Sequence, residues 1–246
     1  MTKPAAQGRL KRQINRLPPE KRIADIMAAA REVFTERGYN DALISEIAER
    51  AGVVEGSIYR FFVNKRDLLV RVVENWYEQM LAASEEQFSA VEGTRNRIRY
   101  IIHEHLMSIR REPGLSRLVL LQLRADPDYR ASRLFKLNQA YTQHILDVVR
   151  EGIASGEFRP DVSPSLVRDM IYGGIEHRTW GYLRNEKDFD LAATVDGITD
   201  MIYRALAAAP EAAPEEDRLS RAAARVEKAA DRLERLATNA PGGLKA

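Results

Sequence analysis

The chain contains no cysteine. Disulfide frameworks, thiolate nucleophiles and cysteine-bearing metal sites are therefore excluded together. No apolar run approaches the roughly 18 residues that a bilayer-spanning helix needs. No secretory apolar stretch stands near the N-terminus, so the expectation is a cytoplasmic protein with no membrane partner. Net charge is also scarce: 38 Lys and Arg against 36 Asp and Glu leave +2, which announces no nucleic-acid partner by itself. Catalytic constellations are missing as well. There is no HExxH pattern, no glycine-rich phosphate loop and no cysteine nucleophile. His103-Glu104-His105 is not a ligand pair, because residues two apart leave a helix on different faces, and His144 and His177 are isolated. No enzyme activity, metal or cofactor is expected. Strand-like alternation is absent too, so the fold class is all-α.

What is present is helical periodicity in nearly every segment. A length of 246 residues with 45% hydrophobic residues allows one small and one medium domain, each with its own core. Residues 22–37 place Ile23, Ile26, Met27, Ala30, Val33 and Phe34 on one face and end at Gly38. Residues 44–62 read as two short helices around a glycine turn. Ile44, Ile47, Ala48 and Ala51 make one buried stripe, and Gly52 supplies a left-handed C-terminal residue. Val53 and Ile58 continue the buried set, which leaves Gly56, Ser57, Tyr59 and Arg60 facing outward. Two helices across a short turn containing glycine form the helix-turn-helix signature.

Asn64 then reads as the N-cap of a long helix to about residue 90, with Asp67 near its positive end. Further helices are expected over 95–111, 115–124 and 129–154. Another, from Ser163-Pro164 to about residue 184, opens on an N-cap with proline at the first position. The last of the body runs over 191–206. Residues 215–236 are rich in Ala, Arg and Glu, with Leu219, Ala222, Val226, Ala229, Leu233 and Leu236 at heptad spacing. That tail is expected to pack on its own body or along a partner subunit.

The order and spacing of Gly38-Tyr39, Ile47-Ala48, Ala51-Gly52-Val53, Gly56-Ser57-Ile58-Tyr59, Phe61-Phe62 and Asn64-Lys65 resemble the TetR/AcrR family of transcriptional regulators. The match runs without a gap over about residues 22–69. The resemblance implies a three-helix helix-turn-helix domain over 21–67 and a larger helical effector-binding and dimerisation domain over 68–209. A basic arm over 1–20 precedes them and a C-terminal helical extension over 210–246 follows. The arm carries Lys3, Arg9, Lys11, Arg12 and Arg16; it lies either along phosphates or in the minor groove, or is a solvated tail.

The family's partners would be a double-stranded DNA operator, a second copy of the chain and a small-molecule effector. The resemblance turns Glu55, Gly56 and Tyr59 toward base edges. Glu55 either accepts from a cytosine amino group or serves as a helix-start acid. Tyr59 either meets DNA or packs as an aromatic. Ser45 matches a DNA-facing position, and Lys65 matches a phosphate-binding lysine. Asn64 is a cap and phosphate donor, Ser57 lets the backbone approach the bases, and Arg60 points to a phosphate or solvent. The chain departs from the pattern at Ala42, Leu43 and Val54, where many members have hydroxyl residues. Leu43 cannot cap, so Glu46 loses its capping-box partner.

In the body, the helix over 164–184 is apolar on two faces, with Gly173, Gly174 and Gly181 permitting close approach. The resemblance assigns it, with 191–206, to a four-helix dimer interface. Candidate effector-lining residues are Met107, Leu121, Gln122, Leu134, Asn138, Tyr141, Met170, His177 and Trp180. The abundance of Leu, Met and aromatic residues favours a lipophilic or aromatic effector, and the segment from Ile171 to Asn185 resembles regulators that bind fatty acyl thioesters. What the resemblance implies is a repressor released from a palindromic operator by a small lipophilic effector, such as an acyl-CoA or fatty acid. The alternative is a constitutive or structural DNA-binding protein with no effector.

Overall fold

A computed structural model of the chain describes residues 18–208, 223–230 and 232. The basic arm thus lies almost wholly outside the described residues. The first helix, α1 (Pro19–Asp41), is interrupted at Gly38, whose φ of 77° is left-handed. It buries Ile26, Ala29, Ala30, Val33 and Phe34 against α2 (Ile44–Arg50) and the four-residue α3 (Glu55–Ile58). Phe62 and Ile58, both nearly inaccessible, close that core from below.

The connecting helix α4 (Lys65–Ser89) starts at Asn64, whose side chain accepts from the backbone N–H of Asp67 at 2.9 Å. Asp67 answers by accepting from the N–H of Val63 at 2.9 Å. Two otherwise orphaned donors are satisfied reciprocally, as in a capping box. Beyond it follow α5 (Thr94–Arg111), α6 (Pro113–Leu118), a π-helical turn (Val119–Leu123), a 3-10 turn (Tyr129–Ala131), α7 (Arg133–Tyr141), α8 (Gln143–Ala154), α9 (Pro164–Leu183) and α10 (Leu191–Leu206).

Two expectations about elements are corrected. The helix expected over 129–154 is two helices broken at Thr142, whose hydroxyl donates back to the carbonyls of Asn138 and Gln139. The backbone leaves the helical region at Thr142, with φ −91° and ψ 3°. The segment expected as one helix over 115–124 ends at Leu118 and widens into the π-turn. The heptad stretch 215–236 falls largely outside the described residues; of it, 223–230 are helical and exposed throughout, so no packing on the body is seen there.

The apolar interior is divided into two clusters, but not at residue 67. One runs from α1, α2 and Phe62 through Leu68–Tyr77 into α6, the π-turn and Leu134. The other joins α5, α8, α9 and α10. The expectation of a separate core for the small domain is thereby corrected. The physical reason is the crossing of α6 over α1, where Gly114 is buried. A Cβ at Gly114 would lie 2.7 Å from Cβ of Thr35, so only glycine lets the two backbones come this close.

Candidate nucleic-acid interface and effector cavity

The turn between α2 and α3 is fixed by backbone geometry. Gly52, at φ 64°, donates to the carbonyl of Glu49 at 3.1 Å, and Val53 donates to that of Ala48 at 2.9 Å. These are the two bonds of a Schellman motif. They set the start of α3 so that Ile58 is buried while Glu55, Gly56, Tyr59 and Arg60 are exposed and Ser57 is half-buried. Ser45, on α2, is exposed beside them. Neither Leu43 nor Val54 contributes a side-chain cap to the helix it precedes. Leu43 and Val54 are 60% and 74% exposed, so both present apolar surface where a hydroxyl would have capped.

Glu46, without a capping partner, turns to cations. Arg50 bonds its carboxylate at 2.7 Å and grips Glu36 with two bonds of 2.9 and 2.7 Å. The hydrogen bonds from Arg50 hold the Glu36 and Glu46 carboxyls below the usual carboxylate range. The cluster ties α2 to α1 on an exposed face.

Lys65 behaves differently from a free phosphate ligand. Its ammonium donates to the carbonyls of Asn40 at 3.1 Å and Ala42 at 2.8 Å and sits 4.8 Å from the Tyr39 ring centre. It therefore secures the turn after Gly38. Asn64 is a cap, as expected.

A cavity of about 530 Å³ lies where the two apolar clusters meet. Trp76 and Tyr77 of α4 form one side, His105 of α5 and Tyr172 of α9 another, and Ser116, Val119 and Leu120 of α6 and the π-turn a third. Its polar groups are ordered. The Tyr77 hydroxyl donates to Asn138 at 3.3 Å, and Nδ1 of His105 lies 3.2 Å from the Tyr141 hydroxyl. Burial pulls His105 down to about 4 and pushes the phenols of Tyr77, Tyr141 and Tyr172 up. These four side chains are thus polar but uncharged at neutral pH. Charges stand among the remaining lining residues: Arg124 pairs with Glu176 at 2.9 Å and Arg168 with Asp169 at 2.8 Å. Arg130 has no acidic partner among the described residues.

Of the nine expected lining residues, Asn138 and Tyr141 are on this wall. The other seven are not. Met170 and His177 point outward from α9, and Leu121 is 48% exposed. Leu134 is buried in the first cluster, Gln122 turns its carbonyl toward Arg66, and Met107 and Trp180 are half-buried elsewhere. The reason is helix phase: α9 turns Arg168, Tyr172, Glu176 and Thr179 to the cavity, a face between the two apolar stripes. A search for lipophilic residues overlooks a wall of hydroxyls and rings. The outward stripe carries Leu166 and Met170, 60% and 62% exposed, and α10 adds Met201 at 64%.

The cavity wall is attached directly to the helix-turn-helix head. Arg31 of α1 pairs with Glu112 just before α6. Arg66, in the first turn of α4, pairs with Asp126 and reaches the carbonyl of Gln122 at 3.5 Å. A helix-turn-helix presenting α3 outward, joined through α4 to a helical body with a cavity, defines a DNA-binding regulator with a ligand-binding domain.

The chain belongs to the TetR family of bacterial regulatory proteins. That family matches residues 26–72, and the family described as YsiA-like protein, C-terminal region, matches residues 73–205. The fatty acid metabolism regulator protein of Bacillus subtilis is 27% identical over 177 residues, covering 72% of this chain and 91% of that protein. The transcriptional activator FasR of Mycolicibacterium smegmatis is 25% identical, covering 81% of this chain and 89% of its own. The solved structure of FadR from Bacillus subtilis in complex with stearoyl-CoA superposes with a TM-score of 0.66 at 27% identity, covering 73% of this chain and 97% of that one. The chain is a DNA-binding transcriptional regulator, and its two-part all-α fold is the family's.

Proposed function

We propose that the chain is a dimeric repressor that binds a near-palindromic operator through α3 and is released by a fatty acyl thioester bound in the cavity. The observation that carries this reading is the position of the cavity. It lies against α4 and against the α6–π-turn segment, and both of these elements are bonded to the head. A ligand that favours a different position of that segment would alter the separation of the two recognition helices, and only such a difference in affinity can drive release.

The acyl thioester follows from the likeness to FadR bound to stearoyl-CoA. A volume of about 530 Å³ is in the range of small-molecule sites, and Arg130 on its lining is available to a phosphate. Gly56 supports the operator contact: a Cβ there would meet nothing within 4 Å, so the fold itself does not require glycine. An approaching base edge would. For the dimer, the support is the apolar outer stripe of α9 and α10, in which Gly173, Gly174 and Gly197 also leave open space.

The test is a fluorescence-anisotropy titration of duplexes from the gene's own promoter region, with and without acyl-CoA, joined to a reporter assay. Tight binding that acyl-CoA weakens, with transcription rising on release, is expected. Equal affinity in both conditions would refute the mechanism, and transcription falling on release would make the protein an activator. Tyr59→Ala should lose operator affinity with its melting temperature retained.

A further inference from the structure

Two hydroxyls on the cavity wall have no partner in the fold. Ser116 of α6 is only 6% exposed, and its Oγ is fully buried and unbonded among the described residues. The phenol oxygen of Tyr129, at the start of the 3-10 turn, is in the same condition. Both line the cavity of about 530 Å³. Other buried hydroxyls behave otherwise. Thr142, Thr179 and Thr199 each donate to a carbonyl of the preceding helical turn, at 3.1, 2.8 and 2.7 Å. That is the usual outlet for such a group in a helix. Thr194 is buried and unpaired too, but it is not on the cavity wall. A buried hydroxyl without a partner weakens the folded state, so such groups are rare and call for a reason.

The neighbouring polar groups do not supply one. His105 is engaged with Tyr141, and Tyr77 with Asn138. The buried and unbonded hydroxyls on the wall are this pair, one on α6 and one at the 3-10 turn that follows the π-turn. We propose that Ser116 and Tyr129 donate hydrogen bonds to an oxygen of the ligand, making the cavity selective for an acyl ligand with an acceptor oxygen over a plain hydrocarbon tail. This rests on the acyl-thioester reading above. The oxygen is either the thioester carbonyl or a hydroxyl on the acyl chain, and the shared chemistry is the accepted hydrogen bond. The stretch between Ser116 and Tyr129 carries Gln122 and Asp126, which hold Arg66 of α4. Recognition of the ligand oxygen is therefore made on the part of the body joined to the head.

The test uses the full chain, its Ser116→Ala and Tyr129→Phe variants, and three probes: decanoyl-CoA, 3-hydroxydecanoyl-CoA and S-decyl-CoA, a thioether without the carbonyl. Calorimetry should show each variant binding decanoyl-CoA about tenfold or more weakly, with S-decyl-CoA unaffected, if the carbonyl is the acceptor. A loss confined to 3-hydroxydecanoyl-CoA assigns the chain hydroxyl instead and equally supports the proposal. The ligand-free melting temperature of Ser116→Ala should hold or rise, because the substitution removes an unpaired group. A lower ligand-free melting temperature would mean a structural role and overturn the proposal. So would equal losses for all three probes, which would report packing. Wild-type affinity of both variants for every probe overturns this inference while leaving the acyl-thioester reading intact. A wild-type protein that binds none of the probes overturns both.

Discussion

The interior beneath the DNA-reading surface and the interior around the cavity are built from different materials. The side chains packed under α2 and α3, from Ile26 to Phe62, are wholly apolar. The body, by contrast, buries Ser116, Thr142, Thr179, Thr194 and Thr199 and carries His105 and four phenols, of Tyr77, Tyr129, Tyr141 and Tyr172, on the cavity wall. Apolar packing without polar alternatives gives a platform with one arrangement, which suits the proposed contact of α3 with base edges in fixed register. Hydroxyls and rings that trade partners suit a chamber that has to recognise a guest. The two regions are nevertheless joined, because the first cluster continues through α4 into α6.

The widest test of that continuity is Phe62→Ala, expected to cost about 3–5 kcal/mol. If head and cavity wall share one core, Trp76 fluorescence and helical circular dichroism should report the same transition. A separate early melt that leaves Trp76 unaltered would divide the molecule at residue 67 after all. Gly114→Ala should come next, at roughly 1–3 kcal/mol, since its methyl would press on Thr35 at the α1–α6 crossing. Its diagnostic readout is weaker transmission, with acyl-CoA bound normally but releasing less DNA.

His105 gives the third test. Its pKa in the folded chain, about 4, lies below the ordinary histidine value. The unfolded chain therefore takes up the extra proton between about pH 6.5 and 4. The contribution to stability is full above that window and is lost as pH falls through it. It amounts to about 2 kcal/mol once the accessibility of a cavity-facing ring is allowed for. Urea titrations at pH 7 and pH 4.5 should show this loss in the wild type and a smaller one in His105→Asn.

The caps are smaller. Asn64→Ala should cost about 1 kcal/mol. Leu43→Thr should instead gain about 0.5–1 kcal/mol by restoring the cap that α2 lacks. A null result at Leu43 would show that Glu46 and Arg50 already compensate.

The DNA-reading half was legible in the chain because its signals are local. Gly52 and Asn64 each announce a helix end within a few residues, as Ser163-Pro164 does in the body, and the structure places a turn or cap at each. The break at Thr142 and the π-turn at Val119 carry no proline or glycine, so periodicity runs straight through them. The cavity was less legible because its wall is assembled from α4 to α9 at long separation and is polar. Tyr172 sits between two apolar stripes and looks like filler until α5 brings His105 against it, with ring centres 4.7 Å apart. Lys65 was legible as a cation, but its engagement with the carbonyls after Gly38 was not.

The guanidinium of Arg50 has a consequence for how the protein would hold DNA. Hemmed in by Glu32, Glu36 and Glu46, it has little positive field left to project, and Lys65 and Arg66 also face inward. Counterions displaced from the duplex must then be replaced mainly by other residues, and the run of Lys3, Arg9, Lys11, Arg12 and Arg16 ahead of α1 is the richest source. A chain starting at Pro18 should keep its preference among sequences while its affinity becomes much less sensitive to ionic strength.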